Sequence, residues 1–310
     1  MPKILVSGST AYDNIMIADT NLQEHIAEKD LGKINISYLV SDLRKENWGT
    51  WANIAYSLAL LDTESILLTS IGKDYQFSDF FKQKVDLNYV HKSIDKLTAR
   101  SYITTDKFDS QITAFYPWAM EDSCEIRFLR DDFVTYGIVA PNHINLMKKH
   151  LKLFKDSWVK TLFDPGQQIT QMTKEDLEYC FSYSDYLIIN EYEYEILKKI
   201  AEKTDEEMID TFERMIITYW IKGSKIFDRH YNLIEVEWVE NPDFVDATWA
   251  WDAFRAGLLH WLNLNYDWQT SARIWAVLSS LSTQAYWAQN YFIDWTQFKA
   301  LYAQTFWDEL

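Results

Sequence analysis

Asp252 is the residue around which a chemistry can be built. It stands in the run Val245-Asp246-Ala247-Thr248-Trp249-Ala250-Trp251-Asp252-Ala253-Phe254-Arg255-Ala256-Gly257. This reads as a strand end, a tight turn and the first turn of a helix, with a lone carboxylate at the turn. Such a turn offers backbone N–H groups and the positive end of a helix dipole to an anion, beside a candidate general base. That arrangement suits phosphoryl transfer. Amides of Trp249, Ala250 and Trp251 would form an anion hole for the developing charge, while Asp252 takes the proton of the attacking hydroxyl. Read alone, Asp252 is also simply an acid favoured by the dipole in a first helical turn. Two residues are wrong for the chemistry. Trp249 and Trp251 stand where the chain must approach an anion most closely, a task for glycine.

A second pair could grip a sugar. Asp13 follows the apolar run Ile4–Ser7, and Asn53 lies in Trp48-Gly49-Thr50-Trp51-Ala52-Asn53-Ile54-Ala55. A carboxylate and an amide can together bind a ribose cis-diol. The plainer alternatives are a turn residue at Asp13 and a helix N-cap at Asn53.

With glycine at positions 249 and 251 the first run becomes D-A-T-G-A-G-D-A-F-R-A-G. This resembles the C-terminal signature of the ribokinase-like (phosphofructokinase-B-type) sugar and nucleoside kinases. Other segments agree, in family order, over nearly the whole chain. Ile4-Leu5-Val6-Ser7-Gly8-Ser9 with Asp13-Asn14 resembles the family's first strand and sugar-binding Asp. The segment around Gly49 and Asn53 resembles its G-G-x-x-x-N signature, and Asn190-Glu191-Tyr192-Glu193 its N-x-x-E box. Phe115-Tyr116-Pro117-Trp118-Ala119-Met120 and Asp164-Pro165-Gly166-Gln167 are similar to segments of the bacterial adenosine kinase branch.

The resemblance implies an ATP-dependent kinase acting on a primary hydroxyl, with the 5′-hydroxyl of adenosine first and a ribose or fructose derivative as the alternative acceptor. It implies that Asp13, Trp48, Gly49 and Asn53 surround the sugar. ATP would lie along Asn190, Thr218, Lys222 and Gly223, and Glu193 would hold Mg²⁺ through water, since that cation keeps much of its hydration shell. Outside the family pattern, Glu191, Glu193 and Glu195 would be a solvated helix face and residues 218–223 a surface turn. Phe115 and Tyr116 could stack on a base or pack within their own hairpin.

Glycine is scarce where tryptophan is abundant. The chain has 14 Trp and 8 Gly, whereas a glycine frequency of roughly 7% would give about 22 in this length. Trp48, Trp51, Trp118, Trp249 and Trp251 fall on family glycines, and Trp220 stands where a strand should enter a turn. Three origins fit: a source that reads UGA as glycine, its gene translated with tryptophan; a decayed, non-catalytic relative; or a deliberate exchange. Confinement of the damage to one exchange favours the first. The literal chain is expected to keep its fold with indoles in the active-site cleft, Trp48 and Trp51 crowding the ribose.

The elements that must position these residues alternate strand and helix. Strands are expected at Lys3–Gly8, Ser65–Ile71, Lys160–Asp164, Tyr186–Asn190 and Met215–Tyr219. Helices are expected at Ala52–Leu61, Ile144–Phe154, Lys174–Phe181, Tyr192–Ala201, Asp205–Arg214, Ala250–Leu262, Gln269–Leu281 and Asp294–Gln304. The pattern predicts an α/β fold, a mostly parallel sheet with helices on both faces and ligands at the carboxyl ends of the strands. Two β-rich segments, about 14–45 and 97–118, interrupt it, the second holding a hairpin with strands Arg100–Thr105 and Gln111–Tyr116. The resemblance makes them a small β-sheet lid on a single ribokinase-like domain spanning 1–310.

Composition closes off other classes. The 310 residues carry a formal charge of −16, which disfavours nucleic acid as a partner. Two cysteines, Cys124 and Cys180, make no disulfide framework. The sequence is expected to act in the cytoplasm as a monomer or homodimer, without a leader or membrane span. Its six histidines, His25, His91, His143, His150, His230 and His260, lack metal-ligand spacing.

Overall fold

The computed structural model describes residues 2–22, 37–108, 110–125, 133–245, 250–284, 289 and 291–307, with Asn47, Trp48 and residues 123–125 described in backbone only. Strands in the first half are β1 (Lys3–Ser7), β2 (Ala11–Ala18), β3 (Val40–Trp48), β4 (Ser65–Leu68), β5 (Ser70–Ile71), β6 (Val85–Asp86), β7 (His91–Lys92), β8 (Ala99–Asp106) and β9 (Gln111–Tyr116). Those in the second half are β10 (Val134–Val139), β11 (Lys160–Phe163), β12 (Tyr186–Asn190), β13 (Arg214–Thr218), β14 (Ser224–Asp228) and β15 (Leu233–Val236). The helices are α1 (Thr50–Leu60), α2 (Asp79–Lys84), α3 (Ile144–Asp156), α4 (Lys174–Ser182), α5 (Glu191–Ala201), α6 (Asp205–Thr211), α7 (Ala250–Asn263), α8 (Trp268–Ser282) and α9 (Trp295–Phe306).

The large sheet runs β15-β14-β13-β12-β11-β10-β1-β4-β6. Its strands are parallel except at the β13–β14 and β14–β15 pairs. The strands are short apolar runs whose residues alternate between two buried clusters. Ile4, Val6, Ile188 and Ile216 face one core with α1, α7, α8 and α9. Leu5, Leu187, Ile189 and Ile217 face the other, with α3, α4, α5 and α6. Helices therefore cover both faces, as expected. The strand β10 inside the sheet, β6 at one edge and the pair β14–β15 at the other are additions to the expected strands.

A separate four-stranded sheet, ordered β3-β2-β8-β9, uses the two β-rich segments. The hairpin β8–β9 pairs Arg100 with Tyr116 and Thr105 with Gln111, matching the expected strands. One expectation changes here. Asp13 follows β1 in sequence but lies within β2 of the small sheet, opposite Glu46 and Ser101.

Backbone conformation bears on the tryptophans. Among the described residues eight non-glycines have positive φ, and four of them are Trp118, Trp158, Trp220 and Trp307. A left-handed conformation costs an L-residue about 1–2 kcal/mol, which glycine avoids. Trp158 shows the reason locally. The Trp158 N–H donates to the Lys155 carbonyl and the Val159 N–H to the Phe154 carbonyl, closing α3 in the manner that normally recruits glycine. Its ring is 84% exposed, so little burial offsets the strain. The turns of Trp158 and Trp307 give them the same glycine character as Trp118 and Trp220.

Candidate functional site

The carboxyl ends of β1, β11, β12 and β13 open onto one cavity of about 690 Å³, with the small sheet as its opposite wall. Ser9, Asp164, Asn190 and Thr218 line the strand side; Asp13, Ile15, Ser101, Ile103 and Phe115 line the lid side. This is the crevice where open α/β sheets take their ligands.

Asp252 sits at the floor, in the first turn of α7. Its Oδ2 accepts a hydrogen bond from Asn53 Nδ2 at 2.8 Å. Its Oδ1 lies 3.9 Å from Nη1 of Arg255. Burial pushes the Asp252 carboxyl up to about 6, with the Asp164 charge acting in the same direction; Arg255 and the Asn53 hydrogen bond oppose the rise. At neutral pH the group is thus ionised yet not far above its titration, which suits a base.

Asn53 is not the cap of α1. Gly49 occupies that position with φ 138°, and a Cβ there would meet the Ser9 carbonyl oxygen at 2.2 Å. Asn53 lies one turn inside, buried. Gln289 Nε2 donates to Asn53 Oδ1 at 3.1 Å. That bond fixes the amide so that its NH₂ faces Asp252 and one N–H and one lone pair remain for a ligand. Sequence reading missed Gln289. A glutamine 236 residues from its partner gives no local signal.

Asp13 is buried, and Ser101 Oγ donates to its Oδ1 at 2.5 Å. Burial raises its carboxyl to about 6 despite that bond. It shares the cavity wall with Asp252.

The N-x-x-E box is a capping box. Asn190 Oδ1 accepts from the Glu193 N–H at 2.8 Å, and Glu193 Oε2 accepts from the Asn190 N–H at 3.3 Å. Both residues also line the cavity. Glu193 is half-buried rather than on a solvated face, and burial, with the Asp164 charge second, raises its carboxyl. Thr218, at the end of β13, lines the same cavity and donates to the Ile189 carbonyl at 3.3 Å. Lys222 and Gly223 do not line it. Lys222 is exposed on the next turn, and Gly223, with φ 82°, packs where a Cβ would meet the Val236 carbonyl oxygen at 2.0 Å.

The tryptophans divide. Trp251 lines the cavity, edge-on to Trp220 and Phe254, each with ring centroids 6.0 Å away. Trp51 does not crowd the sugar site. Its ring is fully buried between Phe77 and Phe81, with Nε1 donating to Thr10 Oγ1. It turns inward because the first turn of α1 packs on the apolar side of β1, where Ile4 and Val6 also lie. The expectation for Trp249, and that for the Trp48 side chain, lies outside the described residues. So do Asp246, Ala247 and Thr248. Ala250, the described member of the expected anion hole beside Trp251, is buried at the start of α7.

Arg255 and Asp164 were not assigned roles from the sequence, and the structure brings them together. Arg255 Nε donates to Asp164 Oδ2 at 2.5 Å. Among the described residues that line the cavity Arg255 is the one cation, acted on by Asp164, Asp252 and Glu193.

Comparison with known proteins agrees with this geometry. The pattern described as pfkB family carbohydrate kinase matches residues 1–295. A nucleoside kinase of Methanocaldococcus jannaschii is 26% identical over 299 residues, covering 95% of each chain. Among solved structures, Burkholderia thailandensis nucleoside kinase in complex with inosine is 29% identical, covers 99% of both chains and superposes with a TM-score of 0.86. The same enzyme in complex with ADP-inosine gives 0.84, covering 99% of this chain and 97% of that one. The match of one family pattern to all but the last residues, on a cavity that holds its carboxylates together, makes this chain a member of the pfkB family of carbohydrate kinases, phosphotransferases with an alcohol group as acceptor.

Proposed function

We propose that this chain is an ATP-dependent nucleoside kinase that phosphorylates the primary 5′-hydroxyl, with adenosine as the preferred acceptor. The observation that carries the reading is the Asp252 carboxylate, held by Asn53 and Arg255 on the floor of a cavity walled by a polar lid sheet. Relatives matching along the whole chain are nucleoside kinases, and one neighbour holds inosine. Asp13 and the remaining N–H and lone pair of Asn53 would bind the ribose hydroxyls. Phe115, 44% exposed on the lid wall, offers a face for a base to stack on. Asp252 would receive the 5′-hydroxyl proton as the phosphoryl group moves, with amides at the start of α7 holding its charge. Asn190 and Thr218 would face the ATP phosphates. The two expected ATP-binding residues Lys222 and Gly223 would act by shaping the turn.

Mg²⁺ fits the charge of this cleft. Four carboxylates, Asp13, Asp164, Glu193 and Asp252, line it with one guanidinium. Among the described residues no group of three His, Cys, Asp or Glu is preassembled for a metal. Such a site suits a hydrated cation arriving with ATP, steadied through water by Glu193. Glu193→Gln should therefore raise the Mg²⁺ concentration for half-maximal rate and lower kcat, with nucleoside affinity measured without ATP unchanged. An unchanged Mg²⁺ profile would leave Glu193 with its capping role alone.

Among the described residues no helix is long and apolar enough to cross a membrane, and we assign the enzyme to the cytoplasm as a monomer or homodimer with a small β-sheet lid. The acceptor is tested by a panel of adenosine, inosine, ribose and fructose 6-phosphate with MgATP. Adenosine should give the highest kcat/KM. A free sugar ranked first would retain the kinase and remove the nucleoside.

A further inference from the structure

We propose that Arg255 is a positioning residue for the phosphoryl-transfer step, clamped by Asp164 so that its guanidinium aims and charges the Asp252 carboxylate; this rests on Asp252 being the base. Asp252 and Arg255 are three residues apart on α7, so their side chains leave one helix face together. Asp164 comes from the end of β11, 91 residues away in sequence, and is 0% exposed. One carboxylate thus anchors Nε of the guanidinium, leaving Nη1 directed to the other. A planar fork can serve two carboxylates in this way, and an ammonium cannot hold the same geometry. Asp164 Oδ1 is buried without a partner among the described residues. An acidic side chain kept there, half-satisfied, is costly as packing alone and is explained by its hold on Arg255.

The groups facing Asp252 are Arg255 on its own helix, Asp164 from β11, Asn53 from α1 and the Tyr291 hydroxyl, which donates to Ser57 at 2.6 Å. Glu193 acts on Arg255. Arg255 favours the ionised form of Asp252 and Asp164 opposes it. The clamp therefore makes two substitutions act in opposite directions. Arg255→Met should move the Asp252 titration upward by about one pH unit, the lower end of what an adjacent opposite charge contributes. Asp164→Asn should move it downward, because the Asp164 charge that opposes ionisation of Asp252 is lost while Arg255 stays on the same helix face. An ion pair that merely supports the fold would leave the Asp252 titration unmoved in both variants.

The test is the ¹³C carboxyl titration of Asp252 in the full chain, identified by its loss in Asp252→Asn, together with kcat against pH. A one-unit upward shift from about 6 corresponds to roughly a 5-fold loss of kcat at pH 6 in Arg255→Met and less than 2-fold at pH 8.5, with nucleoside KM held. Equal or absent shifts in the two variants would overturn the clamp while leaving the kinase intact. The opposite shifts without nucleoside phosphorylation by any version would leave the clamp and remove the kinase reading. Should Arg255→Met fail to fold, the downward shift in Asp164→Asn decides alone, and its absence overturns the proposal.

Discussion

Replacing Trp249 and Trp251 by glycine is expected to raise kcat for phosphate transfer from MgATP to adenosine by at least about 10²-fold, the scale on which one preorganised oxyanion donor acts. Trp251 lines the cavity with Asp252 and sets its ring edge-on to Trp220. An indole there occupies volume that a phosphoryl group and its cation require. Glycine at both positions would also let backbone amides come close to the anion. Trp51 is kept in this comparison. Its buried ring is part of the core, and truncating a buried aromatic costs about 3–5 kcal/mol. Steady-state rates of the two chains decide the matter. Equal turnover would mean that the indoles stand clear of the phosphoryl path. Codons would separate origin from effect: UGA at most Trp positions marks glycine read as tryptophan, and UGG marks genuine indoles in a chain with weakened or lost catalysis.

In the glycine-restored chain Asp252→Asn should lower kcat by about 10²–10⁴-fold with modest change in KM, the range for loss of a general base. An amide is nearly the same size and can still meet Asn53 and Arg255, so the cavity should keep its shape and both substrates should bind. What it cannot do is accept the hydroxyl proton. The parent chain should lose activity as pH falls through about 6, where Asp252 becomes protonated, and Asp252→Asn should lack that limb. Residual activity above a tenth of the parent would show that another group takes the proton.

The sequence by itself determined many of the elements and marked the candidate site positions that depend on near neighbours. Alternating apolar runs defined the parallel strands, and the helix at Glu191–Ala201 is announced by its own capping box, Asn190 with Glu193. Asp252 was legible because turn, dipole and carboxylate are within one helical turn of each other. Asp13 and Asn53 were legible as polar residues beside apolar runs, but their surroundings were not. Only the tertiary structure decided that Asn53 bonds Asp252, 199 residues away, and that Gln289 orients it from a distance of 236. Only it paired Asp164 with Arg255 and turned Trp51 inward while leaving Trp251 in the cleft. Periodicity and capping report interactions within a few residues of one another. The direction of a side chain and the charge that tunes it are set where distant strands and helices converge, at the carboxyl ends of the sheet, and no local spacing encodes that meeting.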